Sequence, residues 1–155
     1  MNPNIIGGLI KRTYPNFDMF SFDNRLRLQK FTYFLQHVFN LNIGYDFNWY
    51  TYGPYSMELT KDGFQLESDK VIPIKFADKK IEKRFSEFFN FFEEKKEDNE
   101  WLEIASSIHL LKKIYPTKDN NEIVEQVRNK HEEFHDKEKR ISEILNELKQ
   151  KGLIK

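Results

Sequence analysis

Residues Ser21 to Phe39, SFDNRLRLQKFTYFLQHVF, decide how this chain folds. Leu28, Phe31, Leu35 and Val38 recur at the three-and-four spacing of one helical face, and Phe34 and Phe39 widen that stripe. Asp23 is placed to cap the start of the helix. The opposite side carries Arg25, Arg27 and Lys30. Gln29 and Lys30 lie between Leu28 and Phe31, so each must reach water or hydrogen-bond the following turn, because buried polar groups need partners.

Downstream of this helix, Asn40 to Gly44 reads as an exit loop, and Tyr45 to Tyr52 alternates large and polar residues as a half-buried strand does. Gly53-Pro54 is expected to end that strand in a turn, and Ser56 to cap a short helix from Met57 to about Leu66. Val71-Ile72-Pro73-Ile74 reads as a brief extended piece, which predicts a small hairpin or strand pair near residues 45 to 52 and 71 to 75. From Ala77 to about Glu94 a second strong helix places Ile81, Phe85, Phe88 and Phe92 on one stripe, with Phe89 and Phe91 broadening it. Residues 93 to 99 form a charged break. Three helical patterns follow: Trp101 to Tyr115, stopped by Pro116; Asn120 to Lys130, opened by an Asp119 and Glu122 capping pair; and Lys137 to Lys151, closed by Gly152. The expected class is mainly α with a small β element, α+β. It is one domain over 1–155, subdivided into a core of 1–97 and a C-terminal helical subdomain of 98–155 with the rhythm of a winged helix.

Composition bounds the function. At 155 residues the chain buries a sizeable core without staples, and the absence of cysteine excludes disulfides, thiol nucleophiles and thiolate metal sites. That composition suits a reducing compartment, so a cytoplasmic location is expected. No basic region precedes Ile5-Ile6-Gly7-Gly8-Leu9-Ile10, no apolar run reaches the length of a membrane span, and no membrane partner is expected. Lys and Arg number 25 against 25 Asp and Glu, so any electrostatic case for a polyanionic partner must be local. The 15 phenylalanines speak first of packing.

His131-Glu132-Glu133-Phe134-His135 matches H-E-x-x-H, which on a helix sets two histidines one turn apart around zinc with the glutamate as base. This is the alternative reading, a metal-dependent hydrolase, with Glu143 and Glu147 as the formal candidates for a third ligand. The charged flanks Arg128-Asn129-Lys130 and Asp136-Lys137-Glu138 oppose it, since a metal-holding helix needs apolar sides. No metal or other cofactor is therefore expected, and no catalytic residue is singled out. His37 and His109 fall within helical patterns with structural or surface roles. Phosphate-cradling glycine motifs and nucleophile elbows are absent, Gly7-Gly8 being too short to count. Tyr45, Phe47, Trp49, Tyr50, Tyr52 and Tyr55 concentrate rings that would stack bases or fill a core, and the core reading is preferred. From residue 137 onward six positive side chains face three negative ones. The expected nucleic-acid contacts are therefore Lys139, Arg140, Lys149 and Lys151, assisted by Arg25 or Arg27.

At Leu28-Gln29-Lys30 with Tyr33, then Tyr52-Gly53-Pro54-Tyr55-Ser56 with Leu59, the sequence resembles the YwgA-like family of prokaryotic proteins and, more distantly, the Panacea domain of SocA-like antitoxins. The match is tightest over residues 25 to 66. Tyr55-Ser56 follows the YwgA-like form and departs from the usual Panacea continuation. The resemblance implies a mostly helical fold and a place near regulatory or defence systems, and it brings no catalytic residues across. The expected function is a non-catalytic regulatory or interaction module that binds a protein or nucleic-acid partner, the oligomeric state being open and a homodimer included.

Overall fold

The computed structural model describes residues 3–155. Among them seven α-helices accompany one two-stranded antiparallel sheet, a mainly helical α+β chain. The elements in order are α1 (Pro3–Thr13), α2 (Phe22–His37), β1 (Asn48–Tyr50), β2 (Gly53–Tyr55), α3 (Met57–Gln65), α4 (Lys79–Glu93), α5 (Asn99–Ile114), α6 (Asn120–Lys130), a 3-10 turn over Glu132–Phe134, and α7 (Glu138–Gln150). They fall into two compact units. One comprises the chain up to Phe47 together with Ser56–Asn99, and the other Asn48–Tyr55 with Glu100–Lys155.

In the first unit α2 packs against α1, α3 and α4, so it is buried on every side from Leu28 to Gln36. The side opposite the apolar stripe, where the sequence sets Lys30, is covered as well: Lys30 is 1% exposed. The N-cap is Ser21, not Asp23; its hydroxyl accepts from the Asn24 N–H at 3.0 Å. Phe85, Phe88 and Phe92 on one stripe of α4 are fully buried. Phe31 meets Phe88 and Phe92 edge-on at centroid distances of 5.0 and 5.5 Å, the arrangement that aromatic quadrupoles favour.

Helix α1, unassigned by sequence pattern, forms despite Gly7-Gly8, the weakest helix formers after proline. Tertiary packing overrides propensity here. A Cβ at Gly8 would lie 2.8 Å from two Ile74 carbons and 3.1 Å from the Ile72 carbonyl oxygen, so the 66–74 segment crosses α1 where it is thinnest. That segment is not the strand expected over 71 to 75. Ile74 spends its N–H on the Gly8 carbonyl (3.2 Å) instead of on a ladder.

In the second unit β1 pairs with β2 in the register Asn48 with Tyr55, Trp49 with Pro54 and Tyr50 with Gly53. Gly53-Pro54 therefore begins the return strand, and Thr51-Tyr52 makes the turn. Pro54 is tolerated because a two-stranded sheet has only edge strands, and Gly53 takes φ 89°, a left-handed value that suits glycine. Only Asn48–Tyr50 of the expected strand from 45 to 52 is extended in a sheet. Helix α6 packs against α7 and the 3-10 turn around Ile123, Val127, Phe134, Ile141 and Leu145. Asp119 caps α6 by accepting from the Asn121 and Glu122 N–H groups. Gly152, at φ 72°, closes α7 with bonds from Gly152 N to the Lys149 carbonyl and Leu153 N to the Leu148 carbonyl, a Schellman ending.

Candidate interaction surface

The residues that carry the family resemblance are mostly interior. Leu28, Gln29, Lys30, Tyr33, Ser56 and Leu59 are all buried. Gln29 clasps the backbone of Ser56 with both ends of its amide: its Oε1 accepts from the Ser56 N–H (2.8 Å), and its Nε2 donates to the Ser56 carbonyl (2.9 Å) and to the Thr60 hydroxyl (2.8 Å). Seven residues later, Gln36 repeats the device, donating to the Tyr45 carbonyl (2.8 Å) and accepting from its N–H (2.9 Å). A spacing of seven puts both amides on one side of α2. The Tyr45 hydroxyl then donates to Asp62 of α3 at 2.6 Å, and burial with that carboxylate raises its pKa. Gln29 is thus a clamp on the start of α3.

The six-ring stretch divides. Tyr45 is buried on α2 and α3, and Phe47 packs on Tyr33 (5.4 Å) and His37 (5.7 Å) in the first unit. Trp49, Tyr50, Tyr52 and Tyr55 belong to the hairpin of the second. There the Lys130 ammonium lies 3.6 Å from the centre of the Trp49 ring. Burial lowers the Lys130 pKa to about 8, with Glu103 pulling it back up in part. The ring face compensates some of the lost hydration of that cation.

His131 stacks against Tyr52 (5.3 Å) and Phe134 (5.6 Å), and its Nδ1 accepts from the Glu133 N–H at 3.3 Å. Helix α6 ends at Lys130, His131 is extended (φ −135°, ψ 133°), and Glu132–Phe134 forms a 3-10 turn, so the H-E-x-x-H residues do not share a helix. Among the described residues no group of three or more His, Asp or Glu side chains is placed to hold a metal ion. Glu147, a formal third ligand, accepts instead from the Trp101 indole N–H at 3.0 Å.

The expected nucleic-acid contacts are largely occupied. Arg27 donates to Asn99 (3.0 Å) and pairs with Glu97 (3.1 Å). Arg140 lies 3.7 Å from Glu100, which also binds Lys137 at 2.6 Å, and Lys151 pairs with Glu147 at 3.6 Å. Lys139 and Lys149 are exposed, one near each end of α7.

Arg25 does something else. Its guanidinium donates to the carbonyls of Met19 (2.9 Å) and Phe20 (3.0 Å), while Asp18 accepts from the Phe20 N–H (3.0 Å) and from the Asn24 amide (3.3 Å). Four hydrogen bonds hold this turn, and it presents Phe20 at 92% exposure. The same segment runs beside α3, since a Cβ at Gly63 would lie 2.7 Å from Met19 Cε. Phe64 at 61% and Met57 at 59% lie on the exposed side of that helix, and Phe22 is half exposed at the start of α2. Periodicity marked Phe20 and Phe64 as neither core nor site. The available signal was two phenylalanines outside every helical stripe. No family model, curated protein or solved structure matches this chain.

Proposed function

We propose that this chain is a non-catalytic interaction module of a regulatory system, and that it binds a protein partner through the surface around Phe20, Phe64 and Met57. One observation carries the reading: a phenylalanine 92% exposed at the tip of a turn that Asp18 and Arg25 fasten from both sides. An apolar ring left in water costs free energy, and four hydrogen bonds spent on keeping it there pre-organise it to enter a pocket. Aromatic anchors of this kind dominate binding energy at interfaces, ringed by weaker contacts.

The resemblance over residues 25 to 66 to YwgA-like and, distantly, SocA-like antitoxin proteins supports a regulatory or defence-related role by analogy alone. A winged-helix-like reading of α5 to α7 and a cytoplasmic location are in keeping with it. The test is to install a photo-crosslinking phenylalanine analogue at position 20, with a control at Tyr115, in the cells from which the chain comes. A discrete protein adduct at position 20 but not at 115 supports the reading, and equal or absent adducts refute it.

A further inference from the structure

Helix α4 carries a second exposed surface, of opposite character. Lys79, Lys80, Lys83 and Arg84 crowd its first two turns, Lys75 stands just before it, and all five side chains are exposed. The nearby carboxylates are committed elsewhere. Asp78 caps the helix, accepting from the Lys80 (2.8 Å) and Ile81 (3.2 Å) N–H groups, and Glu82 is held by Arg12 (3.0 Å) and the Phe76 N–H (3.2 Å). Glu87 places a negative charge on the same face. The side chains of Lys75, Lys79, Lys80 and Lys83 make no hydrogen bond or ion pair among the described residues, and that of Arg84 reaches the Asn40 carbonyl at 3.3 Å.

This arrangement runs against helix electrostatics twice. Lys79 with Lys83 and Lys80 with Arg84 are like charges at i,i+4, each pair unfavourable. They also sit at the end of α4 where the helix dipole is already positive. Glu87, at i+4 from Lys83 and i+3 from Arg84, offsets part of this repulsion, and the excess positive charge that remains points to compensation from a ligand. The remaining exposed side chains on this face, Ser86 and Asn90, are polar, while the apolar face with Phe85, Phe88 and Phe92 is buried. A membrane-binding helix needs an exposed apolar side to enter the lipid, and α4 has none to offer. A hydrated, densely charged polymer is the partner this face fits.

We propose that the exposed face of α4, through Lys75, Lys79, Lys80, Lys83 and Arg84, binds the phosphodiester backbone of duplex nucleic acid without reading its sequence. This surface is separate from the Phe20 turn, so the inference stands independently of the protein-docking reading.

The test is fluorescence anisotropy of the full chain with labelled 20-base-pair DNA and RNA duplexes at 50 and 200 mM KCl. Five cations on phosphates give a log–log salt slope of about −4.5, so affinity should fall on the order of 500-fold between the two salts. Lys79→Ala with Lys83→Ala should remove about two units of that slope. It should leave the helix intact, because alanine is the better helix former and the repulsion is gone. Lys139→Ala with Lys149→Ala, and Phe20→Ser, should both bind as the parent does. No duplex binding at 50 mM, an unchanged slope in the α4 variant, or binding to phosphatidylserine vesicles with none to duplexes would each overturn the proposal.

Discussion

Replacing Gln29 by methionine keeps the length and bulk of the side chain and deletes only its amide. In the parent, Gln29 Oε1 is the acceptor for the buried Ser56 N–H, and Nε2 serves the Ser56 carbonyl and the Thr60 hydroxyl. The Ser56 carbonyl keeps the Thr60 N–H at 3.2 Å as a second partner, so its loss is minor. The Ser56 N–H is left without an acceptor where Ser56 is 1% exposed, a cost of about 1–3 kcal/mol. The lost Thr60 bond adds about 1 kcal/mol, and the extra apolar burial of methionine returns about 1 kcal/mol. A net loss of about 1–3 kcal/mol follows, or about 2–12 °C in melting temperature for a chain of this size. Urea unfolding followed by circular dichroism, with the slope m unchanged, measures it. Gln36→Met should behave alike, since it strips both bonds from Tyr45. A Gln29→Met variant within about 0.5 kcal/mol of the parent would refute the clamp.

Gly53→Val forces a β-branched residue to φ 89° and should cost about 1–3 kcal/mol, whereas Gly53→Asn should cost less; equal stability of both with the parent would remove the strain argument. Lys130 loses its proton near pH 8 in the folded chain and near 10.5 when unfolded, so between those values the unfolded state binds the extra proton and folding gains stability as pH rises. Measured as parent minus Lys130→Met, the stability difference should therefore grow from pH 8 to 10.5, and a flat or falling difference contradicts the burial of that amine.

Periodicity made α2 and α4 to α7 legible because each buries a stripe of large apolar residues at helical spacing, and the Ser56, Asp119 and Gly152 signals marked three ends to the residue. It missed α1 because Gly7-Gly8 argues against a helix unless one knows that the 66–74 segment lies on it. Gly53-Pro54 reads as a breaker, and only a pairing partner reveals it as a return strand. For the site, a sequence displays charge without showing whether it is spent: Arg140 and Lys151 look free in the tail yet face Glu100 and Glu147, and Arg25 supports a turn. The cations of α4 were visible as repeated i,i+4 like charges, but the comparable excess after residue 137 drew the electrostatic argument to α7.

Co-purification from the native cells measures directly whether Phe20 anchors a protein partner. Phe20 is 92% exposed, so Phe20→Ser should leave the melting temperature within about 1 °C of the parent. Loss of an anchoring ring typically costs 2 kcal/mol or more, so the variant should retain roughly a thirtieth of the affinity. One protein should be recovered in stoichiometric amount with the parent, less with Arg25→Ala, and almost none with Phe20→Ser. The same protein recovered in full amount with folded Phe20→Ser would contradict that anchoring role.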